Sequence, residues 1–459
     1  MKTQFILLTL ALLCLQPLAA QEDYGQNVVD GLYMRQYADV LDYYDRHKDS
    51  IAGLPLLVYK AITSVALNKP DSAIAYLNIL LNDAYPDSSG GGAIAEDWFY
   101  DRLIRMYRYR GDYENAAKCY ERLAARLAVR PYNTDSYAEY LRVLNNRSQQ
   151  ESLFSTMTLL NTGETEDIRI KMQIAKHMII PEAQYNKTLL KIKTCFDTGF
   201  QDGYFVMGRR TADSIGVKKV VVADSMPING DKMSSFRGVI DSIRMGNLLI
   251  RNAPVLVMLA DTTPLDYDAD DSTFTPRVVM GLPVIKRLNH IRLDMRNEEM
   301  VISLNRKDAA TGKSNMFLDN ANIYEKLLLT GRLNGARFTA FFDTGWWGTK
   351  DSLAILVTKD FYQNYKEAFP NLEDNSVDST TIRLLNNNSK INHIRVPESQ
   401  LQIDGKLLTF HRDVVVLQDS YNVLVKSLIK DDGGLIGLIP LQRFNKVTLD
   451  FYNMRLEVE

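Results

Sequence analysis

The chain has 459 residues, which at about 150 residues per domain suggests roughly three domains. Hydrophobic residues make up 46% and charged residues 24%, an ordinary globular balance that excludes a fully disordered chain, a collagen-like one and a polytopic membrane protein. Lys plus Arg is 54 and Asp plus Glu is 56, a net charge of −2 that gives no bulk pull toward nucleic acid or anionic lipid, so no nucleic-acid partner is expected.

Residues 1–20 read as a cleavable export signal. Lys2 is the positive n-region, Phe5 to Leu15 is an apolar run too short to span a bilayer well, and Leu18-Ala19-Ala20 offers small residues before a cut at Gln21. Leu12-Leu13 before Cys14 argues against a lipid anchor, because lipidation signals place a small residue there. No later run reaches the ~18 apolar residues of a membrane span, so the protein is expected to be periplasmic or secreted with no integral span after cleavage. Cys119 and Cys195 then remain, on an expected helix and an expected strand, and their pairing is open.

Residues 21–165 read as helical, with apolar spacings such as Leu103, Ile104, Tyr107 and Ala116, Tyr120, Leu123. Arg110-Gly111-Asp112-Tyr113 with Ala116, Tyr120 and Leu123 resembles the middle of a tetratricopeptide hairpin. Asn68-Lys69-Pro70 with Ala73, Leu77 and Leu80 repeats the spacing, and Tyr37 with Val40 and Tyr44 is a poorer copy. From Ala73 to Ala116 is 43 residues, longer than the usual period of about 34, and Ser88 to Gly92 reads as the inserted loop. An irregular helical bundle is the alternative.

From about residue 170 the period changes to two. Leu189 to Lys193, Val220 to Val222, Val255 to Met258 and Val414 to Leu417 read as strands. This half is duplicated: Gly281, Leu282, Arg287, Asn289, Leu293, Asp294 and Asn297 recur 156 residues later as Gly437, Leu438, Arg443, Asn445, Leu449, Asp450 and Asn453. The expected lobes are 170–305 and 323–459, joined by a polar linker over 306–322. Asp294 and Asp450 are read as turn residues.

Upstream of each copy stands Asp-Thr-Gly, at Asp197-Thr198-Gly199 and Asp343-Thr344-Gly345, each on an apolar strand. A lone copy fits a turn. Two copies on two-fold related lobes would bring Asp197 and Asp343 face to face, where closely spaced carboxylates share one proton. The ionised member can then deprotonate a water while the protonated one donates to a peptide carbonyl. Thr198 and Thr344 can tie the loops together, and Gly199 and Gly345 allow close approach.

With these motifs, and Met280-Gly281, Ile436-Gly437 and Gly437 through Phe451, residues 170–459 resemble the two-lobed aspartyl proteases of pepsin and retropepsin type, in their bacterial form. With the helical array read from its spacing, the resemblance implies an α+β multidomain protein: an N-terminal α-helical hairpin array, then a bilobal all-β acid-protease-like unit with a double β-barrel. It implies an aspartic-type endopeptidase binding an extended peptide between the lobes, without a cofactor or metal, and a flap over the cleft. Gly230 and Asp231 mark a candidate flap turn and Phe236 its aromatic, against the alternative of a plain hairpin with one packed Phe. Asn386 to Asn388 mark the matching turn of the second lobe. Active members carry Ala or Ser after the Gly and then a hydroxyl residue. Here Phe200-Gln201 and Trp346-Trp347 follow, with Gln201 or Thr349 as candidate substitutes. Aromatics that filled the cleft would leave an inactive bilobal peptide-binding protein. A third reading makes the helical array a scaffold for a protein partner. The scattered His residues, Ala310 to Ser314 without its leading Gly, and the absence of a Gly-x-Ser-x-Gly elbow give no metal, phosphate or serine-hydrolase site.

Overall fold

In the computed structural model the described residues are 23–84, 93–128, 135–151, 153–175, 177–186, 192–201, 204–228, 231–259, 276–308, 312–319, 325–346, 353–370, 372, 377–383, 388–418 and 433–459. The expected leader, the loop at 88–92, Leu189 to Lys191, Gly230, Asn386, Asn387, Trp347 and Thr349 lie outside them.

The first third is helical: α1 (Tyr24–Tyr33), α2 (Tyr37–His47), α3 (Gly53–Ala66), α4 (Pro70–Ile79), α5 (Ala93–Arg110), α6 (Tyr113–Ala128) and α7 (Asp135–Glu151). Three tight turns organise them. Arg35, Asn68 and Gly111 each adopt positive φ (58°, 54° and 74°), and each is followed two residues later by the start of a helix, at Tyr37, Pro70 and Tyr113. These starts lie 33 and then 43 residues apart, and Val40, Ala73 and Ala116 behind them are buried. Pro70 at the first helical position and Asp112, whose Oδ1 accepts from the Asn115 amide, supply the start signals. In α6, Ala116, Cys119, Tyr120, Leu123 and Leu127 form one buried stripe, with the Glu114–Lys118 pair on the opposite, exposed face.

Two mixed sheets follow. In the first part of the chain are β1 (Thr158–Asn161), β2 (Ile168–Ala175), β3 (Met178–Pro181), β4 (Gln184–Tyr185), β5 (Thr194–Asp197), β6 (Phe205–Gly208), helix α8 (Arg209–Ile215), β7 (Lys218–Ile228), β8 (Asp231–Met245), β9 (Leu248–Met258), β10 (Val278–Gly281), helix α9 (Leu282–Ile285), β11 (His290–Asp294) and β12 (Glu299–Ser303). The second has β13 (Met316–Asp319), β14 (Lys326–Leu333), β15 (Ala336–Phe342), β16 (Ile355–Val357), helix α10 (Lys359–Asn364), β17 (Asp378–Arg383), β18 (Asn388–Val396), β19 (Ser399–Ile403), β20 (Lys406–Phe410), β21 (Val414–Leu417), β22 (Gly434–Ile436), β23 (Lys446–Asp450) and β24 (Arg455–Val458).

The duplication read from identities is also a duplication of strand register. β10 runs parallel to β5 with Met280 opposite Phe196, and β22 runs parallel to β15 with Ile436 opposite Phe342. Each inner strand is also antiparallel to the strand after the Asp-Thr-Gly loop, β6 or β16. Val278 to Gly281 are buried throughout, as strands covered on both faces require. The lobes share a sheet in the order β24-β23-β11-β12-β2-β3. Its β23–β11 pair places Arg292 opposite Thr448, positions 156 apart, so the pseudo-two-fold axis passes there.

Several expectations change. The helical region ends at Glu151, because Thr158–Asn161 forms β1 against β9; four residues are too few to reveal a period. The linker at 306–322 contains β13, whose Met316, Phe317 and Leu318 are buried and pair with β14. The strand before the first Asp is Thr194–Asp197, and Ile192 and Lys193 lie outside it. The lobes hold short helices as well as strands. Cys119 and Cys195 are both buried and free, so no disulfide joins them.

The helical array sits on both lobes. Phe317 and Leu328 of the second lobe belong to its core, and the Tyr37 hydroxyl donates to the buried Asp319 at 2.9 Å. On the first lobe Arg237 pairs with the buried Glu151 at 3.3 Å. No described helix is long and apolar enough to cross a membrane.

Candidate functional site

β5 and β15 deliver the two Asp-Thr-Gly loops to one point. The loops are locked by four reciprocal hydrogen bonds through fully buried threonines. Thr198 N donates to Thr344 Oγ1 (3.0 Å) and Thr344 N to Thr198 Oγ1 (2.9 Å). Each hydroxyl in turn donates across the axis, Thr198 Oγ1 to Phe342 O and Thr344 Oγ1 to Phe196 O, both at 2.9 Å. The symmetric exchange leaves neither buried hydroxyl unsatisfied.

This lock puts the Asp197 and Asp343 side chains in hydrogen-bonding contact, both only partly exposed. Asp197 Oδ1 accepts from Gly199 N (2.8 Å) and Phe200 N (3.0 Å), and Asp343 Oδ1 accepts from Gly345 N (2.9 Å). A glycine is required at each third position. A Cβ on Gly199 would lie 2.2 Å from the Asp343 carboxyl carbon, and one on Gly345 would lie 2.1 Å from that of Asp197. Burial, then the Asp197 charge and the hydrogen bond to it, hold the Asp343 carboxyl well above the ordinary carboxylate range. Burial also raises Asp197, but the Asp343 hydrogen bond and the Gly199 and Phe200 amides pull it back. Both carboxyls are therefore raised, Asp343 the further, as expected of two carboxyls that share one proton.

The first aromatic residue after each glycine packs into a core cluster of its own lobe. Trp346 is 5% exposed and packs with Phe341, Leu356 and Leu435, its ring seated on Gly437. Phe200 packs against the cluster of Met178, Cys195 and Val279 in the first lobe. These positions are 146 apart, as are Asp197 and Asp343, so the two aromatics serve as matching core plugs behind the loops. Gln201 does not replace the missing hydroxyl: its Nε2 lies in a small cavity of about 60 Å³ between the helical array and the first lobe, with no hydrogen-bond partner among the described residues.

Of the candidate flap, β7 and β8 pair antiparallel on either side of residues 229–230, with Asp231 opening β8. Phe236 is 8% exposed and belongs to the first lobe's core. β17 and β18 similarly bracket 384–387. Asp294 and Asp450 cap equivalent turns, accepting from Asn297 and Asn453 through backbone amide and side chain.

Sequence reasoning did not find the interlobe contacts beside the loops. Lys286 Nζ donates to Glu325 of the second lobe at 2.6 and 2.7 Å, both side chains almost fully buried. Its counterpart 156 residues on, Gln442, accepts at Oε1 from His177 Nδ1 of the first lobe at 2.9 Å. The 156-residue offset would have flagged 286 and 442 as equivalent, but their side chains differ, so no identity marked them.

No family model matches the chain, and no curated protein matches it. Among solved structures, the crystal structure of an aspartic proteinase from Irpex lacteus is similar at 12% identity and a TM-score of 0.38, over 64% of this chain and 96% of that one.

Proposed function

We propose that the chain is an aspartic-type endopeptidase that hydrolyses peptide bonds with a water held between Asp197 and Asp343. The observation that carries this reading is the contact of the two carboxyls across the reciprocal threonine lock. The Asp197 carboxylate takes a proton from the water, whose oxygen attacks the peptide carbonyl carbon, while Asp343 gives its proton to the carbonyl oxygen. Collapse of the resulting diol breaks the C–N bond, with the Asp197 proton passing to the leaving amine and a diol proton returning to Asp343. No covalent enzyme intermediate forms, and no cofactor is required.

The reading extends to the finer form of the fold, a bilobal acid-protease-like unit behind a tetratricopeptide-like array, and to export to the periplasm or beyond. Its substrate is an extended peptide or unfolded protein segment. Phe200 and Trp346 each pack into a core cluster of their own lobe, which supports this reading over an aromatic-filled, inactive cleft. Digestion of an unfolded protein in H₂¹⁸O tests it. The expected result is discrete cuts, each new carboxyl terminus carrying one ¹⁸O, with no peptide attached to the enzyme. An intact substrate, or a covalent adduct, would refute the reading.

A further inference from the structure

Arg287 and Arg443 are equivalent by the 156-residue offset, yet they do different things. Arg443 stays within its own lobe: it donates to Thr409 O at 2.6 Å and Asp413 Oδ2 at 3.1 Å and covers the Phe410 ring. Arg287 leaves its lobe. Its Nη2 donates to Arg108 O at 2.7 Å and to Tyr109 O, carbonyls in the last turn of α5, where a cation complements the helix C-terminus. The Tyr204 hydroxyl joins the same Arg108 carbonyl at 3.1 Å, and the guanidinium sits over the Tyr109 and Tyr204 rings.

The gripped segment leads directly to one carboxyl. Gly281 at the end of β10 is in register with Asp197. Gly281 N donates to Tyr204 O, and Leu282 N donates to Phe200 O at 2.9 Å, closing the loop that holds Asp197. After the single turn of α9 come Lys286 and Arg287. Lys286 crosses to Glu325 of the second lobe while its Nζ lies 4.5 Å from the Tyr109 ring centroid, so the helical array covers the interlobe ion pair. The matching contact on the other side of the axis, Gln442 with the partly exposed His177, has no such cover.

We propose that Arg287 and the Lys286–Glu325 pair are positioning residues through which the helical array sets where Asp197 stands relative to Asp343. The array is then an internal brace for the first lobe and not a detachable recruiting module. The geometric part of the proposal stands by itself; its catalytic consequence rests on the peptidase reading.

The test uses the full chain with Cys14→Ser and spin labels at Ser214→Cys on α8 and Gln363→Cys on α10, both exposed and on opposite lobes; the native Cys119 and Cys195 are buried. Pulsed dipolar spectroscopy should give a narrow interlobe distance distribution, broadened by Arg287→Ala, by the milder Arg287→Lys, and by Lys286→Met combined with Glu325→Gln, but not by Arg443→Ala. Circular dichroism selects the folded variants, and Arg287→Lys retains a cation for the case in which Arg287→Ala does not fold. In the peptidase assay the same variants should lose kcat about 10- to 100-fold with little change in KM. The alkaline limb of their pH profile should move to lower pH, because separated carboxyls ionise more independently. An unchanged distribution in folded Arg287→Lys and in the double variant, or equal broadening by Arg443→Ala, would overturn the brace. A silent wild type with the expected distances would sink the peptidase reading alone.

Discussion

The two lobes agree where the carboxyls meet and differ where the helical array touches. The threonine bonds, the glycine contacts and the strand registers repeat across the axis nearly to the tenth of an ångström. Departures begin a few residues away. Arg287 holds α5, whereas Arg443 holds its own lobe. The symmetric part builds a shared-proton pair, and the asymmetric part sets how each lobe meets the helical array.

The strongest way to break the symmetric part is to add one carbon. Gly199→Ala and Gly345→Ala each place a Cβ more than 1 Å inside the ordinary contact distance of the opposite carboxyl, so each should reduce cleavage by at least about 100-fold. Equal losses from the two lobes, measured as kcat on one peptide, would sharpen the comparison; a loss from one alone would break it. The aromatic plugs should differ next. Trp346 is nearly enclosed, so Trp346→Ala should cost about 3–5 kcal/mol in urea unfolding, while the half-buried Phe200→Ala should cost less. Similar costs would mean that the two plugs carry equal loads.

The threonines offer a smaller, symmetric test. Thr198→Val and Thr344→Val each leave a buried carbonyl and a buried amide short of a partner, at about 1–3 kcal/mol each by chemical denaturation. Each substitution removes a different pair of the four bonds, so equal single costs would show that the lock is symmetric. The pH dependence addresses the asymmetry. Asp343 keeps its proton in the folded chain at pH values where an unfolded Asp has lost it, so the folded state binds more protons and stability falls as pH rises through that window. Asp343→Asn should therefore be more stable than the parent above the ordinary carboxylate range, with no advantage below it. Asp197→Asn should gain less, since its carboxylate is already satisfied by amides. A larger gain from Asp197→Asn would reverse the assignment of the proton.

Much of the symmetric part was legible because it is written in identities. Asp-Thr-Gly twice, and seven matches at one offset, marked the two copies whose inner strands are β10 and β22. The helix starts at Pro70 and Tyr113 were legible for a local reason, an Asn or Gly that tolerates positive φ or a Pro at the first helical position, whereas Arg35 before Tyr37 carries no such signal. The direction of Phe200 and Trp346 was not, since a bulky residue beside a carboxyl can as easily fill a groove as a core. β1 and β13 were missed because short strands that complete a sheet depend on distant partners. The Lys286–Glu325 pair was invisible for the same reason: neither residue has a pattern of its own, and only the fold brings them together.

The account stands most directly on one comparison of variants. Wild type, Asp197→Asn and Asp343→Asn, each shown to be folded, should be assayed on the same unfolded protein from pH 3 to 8 with the products mapped by mass spectrometry. The wild type should yield discrete fragments and each Asn variant should fall about 10²- to 10⁴-fold, the contribution expected of a general acid or base. Undiminished cleavage by either folded variant would contradict the claim that the two carboxyls act as one unit.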